Sequence, residues 1–216
     1  MAAFGLGGLA PRAAAAAETP AHPLAERLAA YADALRYADV DGATIEAVKS
    51  HLIDTLGCAI AAFDERPVRI CREVAGAIAT PNGATIIGTE RRVSPDLAAF
   101  ANGAAARYHD LNDVYVSRLT IHPSDTIGGC LAIAETERAS AEGLITAIVL
   151  AYEINCRLLD AFDITKRGWD APIFGLPAGS STDLPTMSRD RTRASSSRTQ
   201  LSDQGNRISC LKFDFV

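Results

Sequence analysis

The chain has 216 residues, of which 48% are hydrophobic, and a formal net charge of -5 at pH 7. These values are typical of a globular protein with one sizeable core. The acidic balance argues against binding to nucleic acid or to anionic membrane surfaces, and no segment predicts a membrane span. An anionic ligand would therefore need a local basic site or a helix terminus.

The cysteines are widely spaced, odd in number and mostly embedded in apolar helical patterns. We interpret them as small buried hydrophobes with reduced thiols, which favours a cytoplasmic protein. No Cys-x-x-Cys pair occurs, so neither a zinc ribbon nor an iron–sulfur cluster has its usual ligand spacing. The five are Cys58, Cys71, Cys130, Cys156 and Cys210.

Residues 1–22 predict a disordered leader or the remnant of an export signal. Residues 4–9 are apolar and residues 13–17 are all alanine. An export signal ends in the same way, with an apolar stretch followed by small residues at the cleavage site. A signal also requires a basic start, and no basic residue precedes Arg12. If the segment is a truncated signal, the protein is exported rather than cytoplasmic.

Apolar residues at three- and four-residue spacing predict helices over residues 23–36, 44–63 and 68–79, the second capped by Asp41 or Thr44. Residues 81–88 combine a turn signal with a short β-type run, which predicts one brief extended segment.

Further helix starts follow at Ser94-Pro95-Asp96, at His122-Pro123-Ser124-Asp125 and at Ser140. They predict helices to about Tyr108, over 126–138 and over 144–162. The fold class is therefore all-α, a helical bundle-like domain over residues 23–177, without a Rossmann sheet.

Residues 178–216 contain twelve serines and threonines and six basic residues, with no helical periodicity. This composition predicts a disordered Ser/Arg-rich tail. Because it differs so strongly from the preceding domain, we hypothesise a reading-frame change or a truncated gene.

Chemistry-bearing residues concentrate in residues 108–115 and 122–125. Loss of water from a hydroxy acid requires proton transfer beside a carboxylate, and a histidine oriented by a carboxylate can provide it. His122 and Asp110 fit these roles, and the amides of a helix beginning at Ser124 could bind a substrate carboxylate. Alternatively, Asp110 and Asn112 only turn the chain and His122 only enters a helix. Lys166 and Arg167 could neutralise carboxylates, or form a solvated helix end.

Several motifs resemble those of one family in the same order. Residues 52–58 resemble its "LLDTLGC" helix, residues 81–88 its "PNGA…G" turn, residues 101–113 its "NGAAARxxDxND" segment and residues 122–125 its "HPSD" motif. The chain is thus identified as resembling the amino-terminal helical part of the MmgE/PrpD family. The resemblance implies a 2-methylcitrate dehydratase-like lyase acting on a small polycarboxylate, without metal or organic cofactor.

Carried over by motif, the family's active-site acid falls on Asp110, its active-site histidine on His122, and its second acid on Asp113. The chain departs from the family at Val114, where threonine is common, and at residues 168–171, where some members have a "GFHP"-like turn. Family members also continue after "GLPA" with basic helices and a smaller α/β domain. The chain is therefore expected to be a truncated form that lacks part of the site, and an inactive form is one alternative.

Two alternatives remain open. The order His51, His109-Asp110 and Asp163 is similar to that in helical metal-dependent phosphohydrolases. The chain could also be a non-catalytic helical fragment or interaction module. In that case the small-residue faces around Gly128, Gly129 and Ala132 would pack on helices outside the chain and, when exposed, favour a homodimer.

Overall fold

The computed structural model describes residues 23–175 and confirms an all-α domain. The predicted leader (residues 1–22) and tail (178–216) lie outside the described residues. Within residues 23–175, six α-helices are connected by short loops and by two two-stranded antiparallel ribbons. The helices are α1 (Leu24–Ala34), α2 (Gly42–Ala61), α3 (Arg66–Ala75), α4 (Pro95–Arg107), α5 (Ile127–Thr136) and α6 (Ala141–Ala161), and the strands are β1 (Ala84–Thr85), β2 (Arg92–Val93), β3 (Tyr115–Val116) and β4 (Thr120–Ile121).

Side-chain caps fix the starts of the two longest helices. Asp41 accepts hydrogen bonds from the amide (3.0 Å) and the hydroxyl (2.9 Å) of Thr44 at the start of α2. Ser140 accepts a hydrogen bond from the Gly143 amide at the start of α6, at 3.1 Å. Helix α4 begins after Ser94 as predicted, but the Ser94 side chain makes no cap hydrogen bond to the backbone. It instead interacts with Asp96, which lowers the pKa of that carboxyl.

Several helix ends fall earlier than predicted, among them those of α3 and α5. Helix α3 stops at Ala75 and is followed by Gly76, a weak helix former. Helix α5 begins as a 3-10 turn, Pro123–Thr126, and ends at Thr136 because Arg138 adopts a left-handed backbone with φ of 54°.

Helix α6 forms the centre of the core, since its residues 146–156 are all buried. Ile148 and Leu150 are completely inaccessible, and they pack with Val48 of α2 and Ile127 of α5. Burial of each such side chain contributes about 1.5–3 kcal/mol. Cys58, Cys130 and Cys156 are buried as predicted.

Two residues of the small-residue face of α5 pack on α4 within the chain, so the prediction that this face meets helices outside the chain is wrong for Gly128 and Ala132. Gly128 is buried, and a Cβ added there would lie 3.4 Å from the backbone nitrogen of Gly103. Ala132 is 2% exposed and clusters with Ala98 and Ala101 of α4. Small residues on both helices allow this close approach.

The extended segment predicted near residue 85 is β1, whose Ala84 pairs with Val93 of β2. A second ribbon, β3–β4, was not predicted; it pairs Tyr115 with Ile121. Ile121 belongs to a cluster with Leu159 and Phe174, which seats the ribbon on the end of α6. Within residues 23–175, no helix combines the length and apolarity needed to cross a membrane.

Candidate active site

Asp110 and His122 lie side by side although eleven residues separate them. Asp110 follows the end of α4 and has a φ of 56°, a left-handed conformation that aspartate tolerates better than most residues. One of its oxygens, Oδ1, lies 3.4 Å from Nε2 of His122. The structure thus brings together the two side chains that the sequence singled out.

The backbone of Asp113 fixes the orientation of the His122 ring. Nδ1 of His122 lies 2.7 Å from the carbonyl oxygen of Asp113. A carbonyl oxygen can only accept a hydrogen bond, so Nδ1 must carry a proton. In the neutral ring Nε2 is then unprotonated, and this is the nitrogen that faces Asp110.

Arg107, in the last turn of α4, is a site residue that the sequence analysis did not assign. Its guanidinium forms an ion pair and hydrogen bond with Asp110, and its Nε lies 3.5 Å from Oδ1 of Asp125. The hydrogen bond and charge of Arg107 lower the pKa of Asp110. The i,i+3 spacing of Arg107 and Asp110 within the quoted motif was the available signal.

The side chain of Asp113 points into the protein. It is 8% exposed, and Oδ1 accepts a hydrogen bond from the Ser124 amide at 3.1 Å. Oδ2 lies 3.7 Å from Nδ1 of His51, whose ring contacts that of Tyr152 at a centroid distance of 5.3 Å. Burial, and then the charge of Asp113, raise the pKa of Tyr152. Asp113 therefore ties α2, α6 and the Ser124 turn together.

Ser124 is 1% exposed, and both of its polar groups have partners within the protein. Its amide donates to Asp113, and its hydroxyl accepts a hydrogen bond from Asn112 Nδ2 at 2.7 Å. The buried Asn112 also lies 3.4 Å from Oδ1 of Asp125. These bonds join the two motif segments into one rigid unit.

A cavity of about 260 Å³ opens beside His122. Burial raises the pKa of Asp125 at its wall, against the opposing charge of Arg107. Asp170, from the segment 168–171 where the chain departs from the family pattern, also lines the cavity. The lining residues are Arg107, Thr120, Ile121, His122, Asp125, Asn155, Asp170, Pro172 and Gly175.

Lys166 and Arg167 are exposed and do not contribute to the described lining of this cavity. Nζ of Lys166 lies 3.8 Å from Asp163, and the guanidinium of Arg167 lies over the Trp169 ring, 5.8 Å from its centroid. Their recorded neighbours are therefore other than Asp110 and His122.

The residues considered for a metal site have other neighbours. His51 lies beside Asp113 and Tyr152, while the His109 ring packs edge-on against Tyr108 at 5.0 Å. Across residues 23–175, no three histidine, cysteine or acidic side chains form a group that could hold a metal ion. The geometry does not support the phosphohydrolase alternative.

The fold and site define a helical domain in which a histidine paired with a carboxylate lines a small cavity. The chain belongs to the MmgE/PrpD family, whose N-terminal domain matches residues 26–183. The resemblance seen in the motifs is thereby confirmed.

Relatives of the chain include dehydratases. The chain is 38% identical over 117 residues to the 2-methylcitrate dehydratase of Escherichia coli strain K12, a match covering 48% of this chain and 24% of that protein. It is 32% identical over 133 residues to the 2-methylcitrate dehydratase of Cupriavidus necator, covering 55% and 27%. An alkylcitrate dehydratase from a fungal species is 34% identical over 144 residues, covering 57% and 28%. The chain spans about a quarter of the length of these relatives.

Proposed function

We propose that this domain takes part in the dehydration of a small hydroxy-polycarboxylic acid, with His122 as the proton-transfer group. The observation that carries the proposal is the fixed ring of His122. Its Nδ1 is bound to the Asp113 carbonyl, and its Nε2 lies 3.4 Å from Asp110 at the wall of a cavity. The names of the dehydratase relatives support the reaction class.

In the proposed reaction, Nε2 of His122 removes the proton from the carbon beside a substrate carboxylate. The electron pair forms the carbon–carbon double bond as the neighbouring carbon–oxygen bond breaks. The imidazolium then returns its proton to the departing hydroxide, so that one water molecule is released and His122 is neutral again. The ionised Asp110 stabilises the intervening positive charge.

Arg107 is the cation that we propose binds a substrate carboxylate. It lines the cavity and presents a planar set of donors suited to carboxylates. We propose that Asp113 acts through His122, because its carboxylate is directed at Ser124 and His51 rather than into the cavity. The cavity of about 260 Å³ is slightly smaller than typical drug-sized pockets and suits a small acid.

The test is turnover by the purified full chain. With 2-methylcitrate or citrate, absorbance should rise as the conjugated product forms, and with cis-aconitate it should fall as water adds to the double bond in the reverse reaction. We expect His122→Ala to lower the rate by about 10²–10⁴-fold, the usual contribution of a general acid–base group. His109→Ala is the matched control. This neighbouring histidine is not among the described residues that line the cavity, so its substitution should leave the rate unchanged. A rate that His122→Ala does not change would contradict the assignment.

We also propose a homodimer in the cytoplasm. Ile53 and Ile60 of α2 are 71% and 61% exposed, and seven-residue spacing places them on the same side of the helix. Sedimentation equilibrium of the wild type and of the double variant Ile53→Lys/Ile60→Lys tests the dimer. A wild-type chain that is monomeric at micromolar concentration would exclude it.

A further inference from the structure

Asn155 is a polar residue of α6 whose burial neither the core nor the proposed chemistry explains. The residue is among those that line the same cavity as His122 and Arg107. The residue is 3% exposed, and its Oδ1 is buried without a hydrogen-bond partner among the described residues. A buried amide oxygen is normally satisfied, so a missing partner at a cavity wall points to a ligand.

The Asn155 oxygen differs from the charged groups around the cavity. Arg107 can only donate hydrogen bonds, whereas Asp125 and Asp170 carry negative charge when ionised. Oδ1 of Asn155 is a neutral acceptor. It can therefore bind a donor on an anionic ligand without adding the repulsion that a carboxylate would exert.

The chemistry of the ligand class identifies that donor. An ionised hydroxy-polycarboxylate offers acceptor oxygens at every carboxylate and a single kind of donor, the hydroxyl group. We infer that the Asn155 side-chain amide accepts a hydrogen bond from the substrate hydroxyl and so selects hydroxy acids over acids that lack this group. This inference rests on the proposed function and makes Asn155 a specificity-determining residue.

The test uses two ligands that differ only in the hydroxyl, namely citrate and propane-1,2,3-tricarboxylate. Isothermal titration of the full chain should show that the wild type binds citrate about tenfold more tightly, the value of one well-placed hydrogen bond. In Asn155→Leu, the affinity for propane-1,2,3-tricarboxylate should be retained, and the preference for citrate should fall to about one.

Two further variants control for effects on folding and charge. Thr146→Val removes a hydroxyl that is also buried in α6 but lies outside the described cavity lining, so the tenfold preference should remain. Asn155→Asp keeps an acceptor oxygen and adds negative charge, so it should weaken both ligands while citrate remains preferred. If Asn155→Leu does not melt cooperatively, Asn155→Ala replaces it.

The outcomes separate this inference from the proposed function. Binding of both ligands with a citrate preference that survives in Asn155→Leu or Asn155→Ala would overturn the role of Asn155 alone. Loss of affinity for both ligands by the same factor would also overturn it, because the amide would then recognise a shared carboxylate or shape the cavity. Failure of the wild-type chain to bind either acid would overturn the proposed function together with this inference.

Discussion

The Nδ1 atom of His122 lies 2.7 Å from the carbonyl oxygen of Asp113, while the carboxylate of the same aspartate is buried against Ser124 and His51. One residue thus holds the active-site ring with its backbone and anchors the surrounding turns with its side chain. The position of His122 therefore depends on the stability of a buried polar cluster.

Asp113→Ala should destabilise the domain and lower turnover. The Ser124 amide would lose a charged, buried hydrogen-bond partner, at a cost of about 2–3 kcal/mol in the free energy of unfolding. Urea denaturation measures this loss, and steady-state kinetics should show a lower kcat with a smaller change in KM. Glu46→Ala is the control, because the Glu46 side chain is 71% exposed and should change stability by less than about 0.5 kcal/mol. Equal stability of Asp113→Ala and the wild type would contradict the anchoring role.

The Arg107–Asp110 pair should give a pH-dependent contribution to stability. Because Arg107 lowers the pKa of Asp110 in the folded state, this contribution is complete above the ordinary aspartate pKa of about 3.9 and is lost as the pH falls through the lowered value. The Asp110→Asn variant measures the effect of the charge alone, because asparagine also tolerates the left-handed backbone. The stability difference between the wild type and Asp110→Asn should shrink in acid, and a difference that grows there would reverse the assigned sign.

Glu153 should show the opposite pH dependence. Burial raises its pKa despite its ion pair with Arg157 at 2.8 Å and the hydrogen bond from Tyr31 at 3.1 Å. Its ionisation therefore disfavours folding above the folded-state pKa, and this effect disappears below the unfolded value of about 4.3. Glu153→Gln should be more stable relative to the wild type at pH 7 than at pH 4. Thermal unfolding at the two pH values measures the change, and a pH-independent difference would argue against it.

Gly83→Ala should be strongly destabilising. An added Cβ would lie 1.8 Å from the carbonyl oxygen of Val93, so the β1–β2 ribbon would have to shift, at a cost of about 1–3 kcal/mol or more. Gly57→Ala is the matched control in α2, where the new methyl group meets nothing within 4 Å and should stabilise the helix by about 0.5–1 kcal/mol. Chemical denaturation of both variants is the measurement. A neutral Gly83→Ala would show that the turn can adjust.

Arg107→Gln should weaken citrate binding by about 10–100-fold, because a charge-assisted contact with a carboxylate is lost. Lys166→Ala and Arg167→Ala should leave affinity unchanged, since both residues lie outside the described cavity lining. Titration calorimetry of the three variants with citrate measures these affinities. If the Lys166 and Arg167 variants lose affinity and Arg107→Gln does not, Arg107 is not the residue that binds the substrate carboxylate.

Sequence patterns predicted the helical part of the fold because each long helix has a clear apolar period and a local start signal. Asp41 and Ser140 cap their helices through contacts within three residues, and such contacts can be inferred directly from a sequence. The β3–β4 ribbon escaped prediction because each of its strands has two residues, too few to show alternation. The packing of the α5 face on α4 also escaped prediction, because it depends on a tertiary contact between Gly128 and Gly103.

The candidate site was predicted only in part for a similar reason. The juxtaposition of Asp110 and His122 followed from motif order and is confirmed at 3.4 Å. The burial of Ser124 and the inward direction of Asp113 depend on α2 and α6, which a local pattern does not include. Asn155 appeared only as one position on an apolar helix face, and its unsatisfied oxygen becomes visible only when the cavity is formed.

The β3–β4 ribbon separates the two halves of the site along the chain, yet its tip at Ser117 and Arg118 is exposed. Hydrogen bonds that involve Asn112 and Asp113, at the start of this segment, join it to Ser124 at its end. Because both ends of this segment are joined, extra residues at its tip could lengthen or reshape the mouth of the pocket without displacing His122 and Asp110.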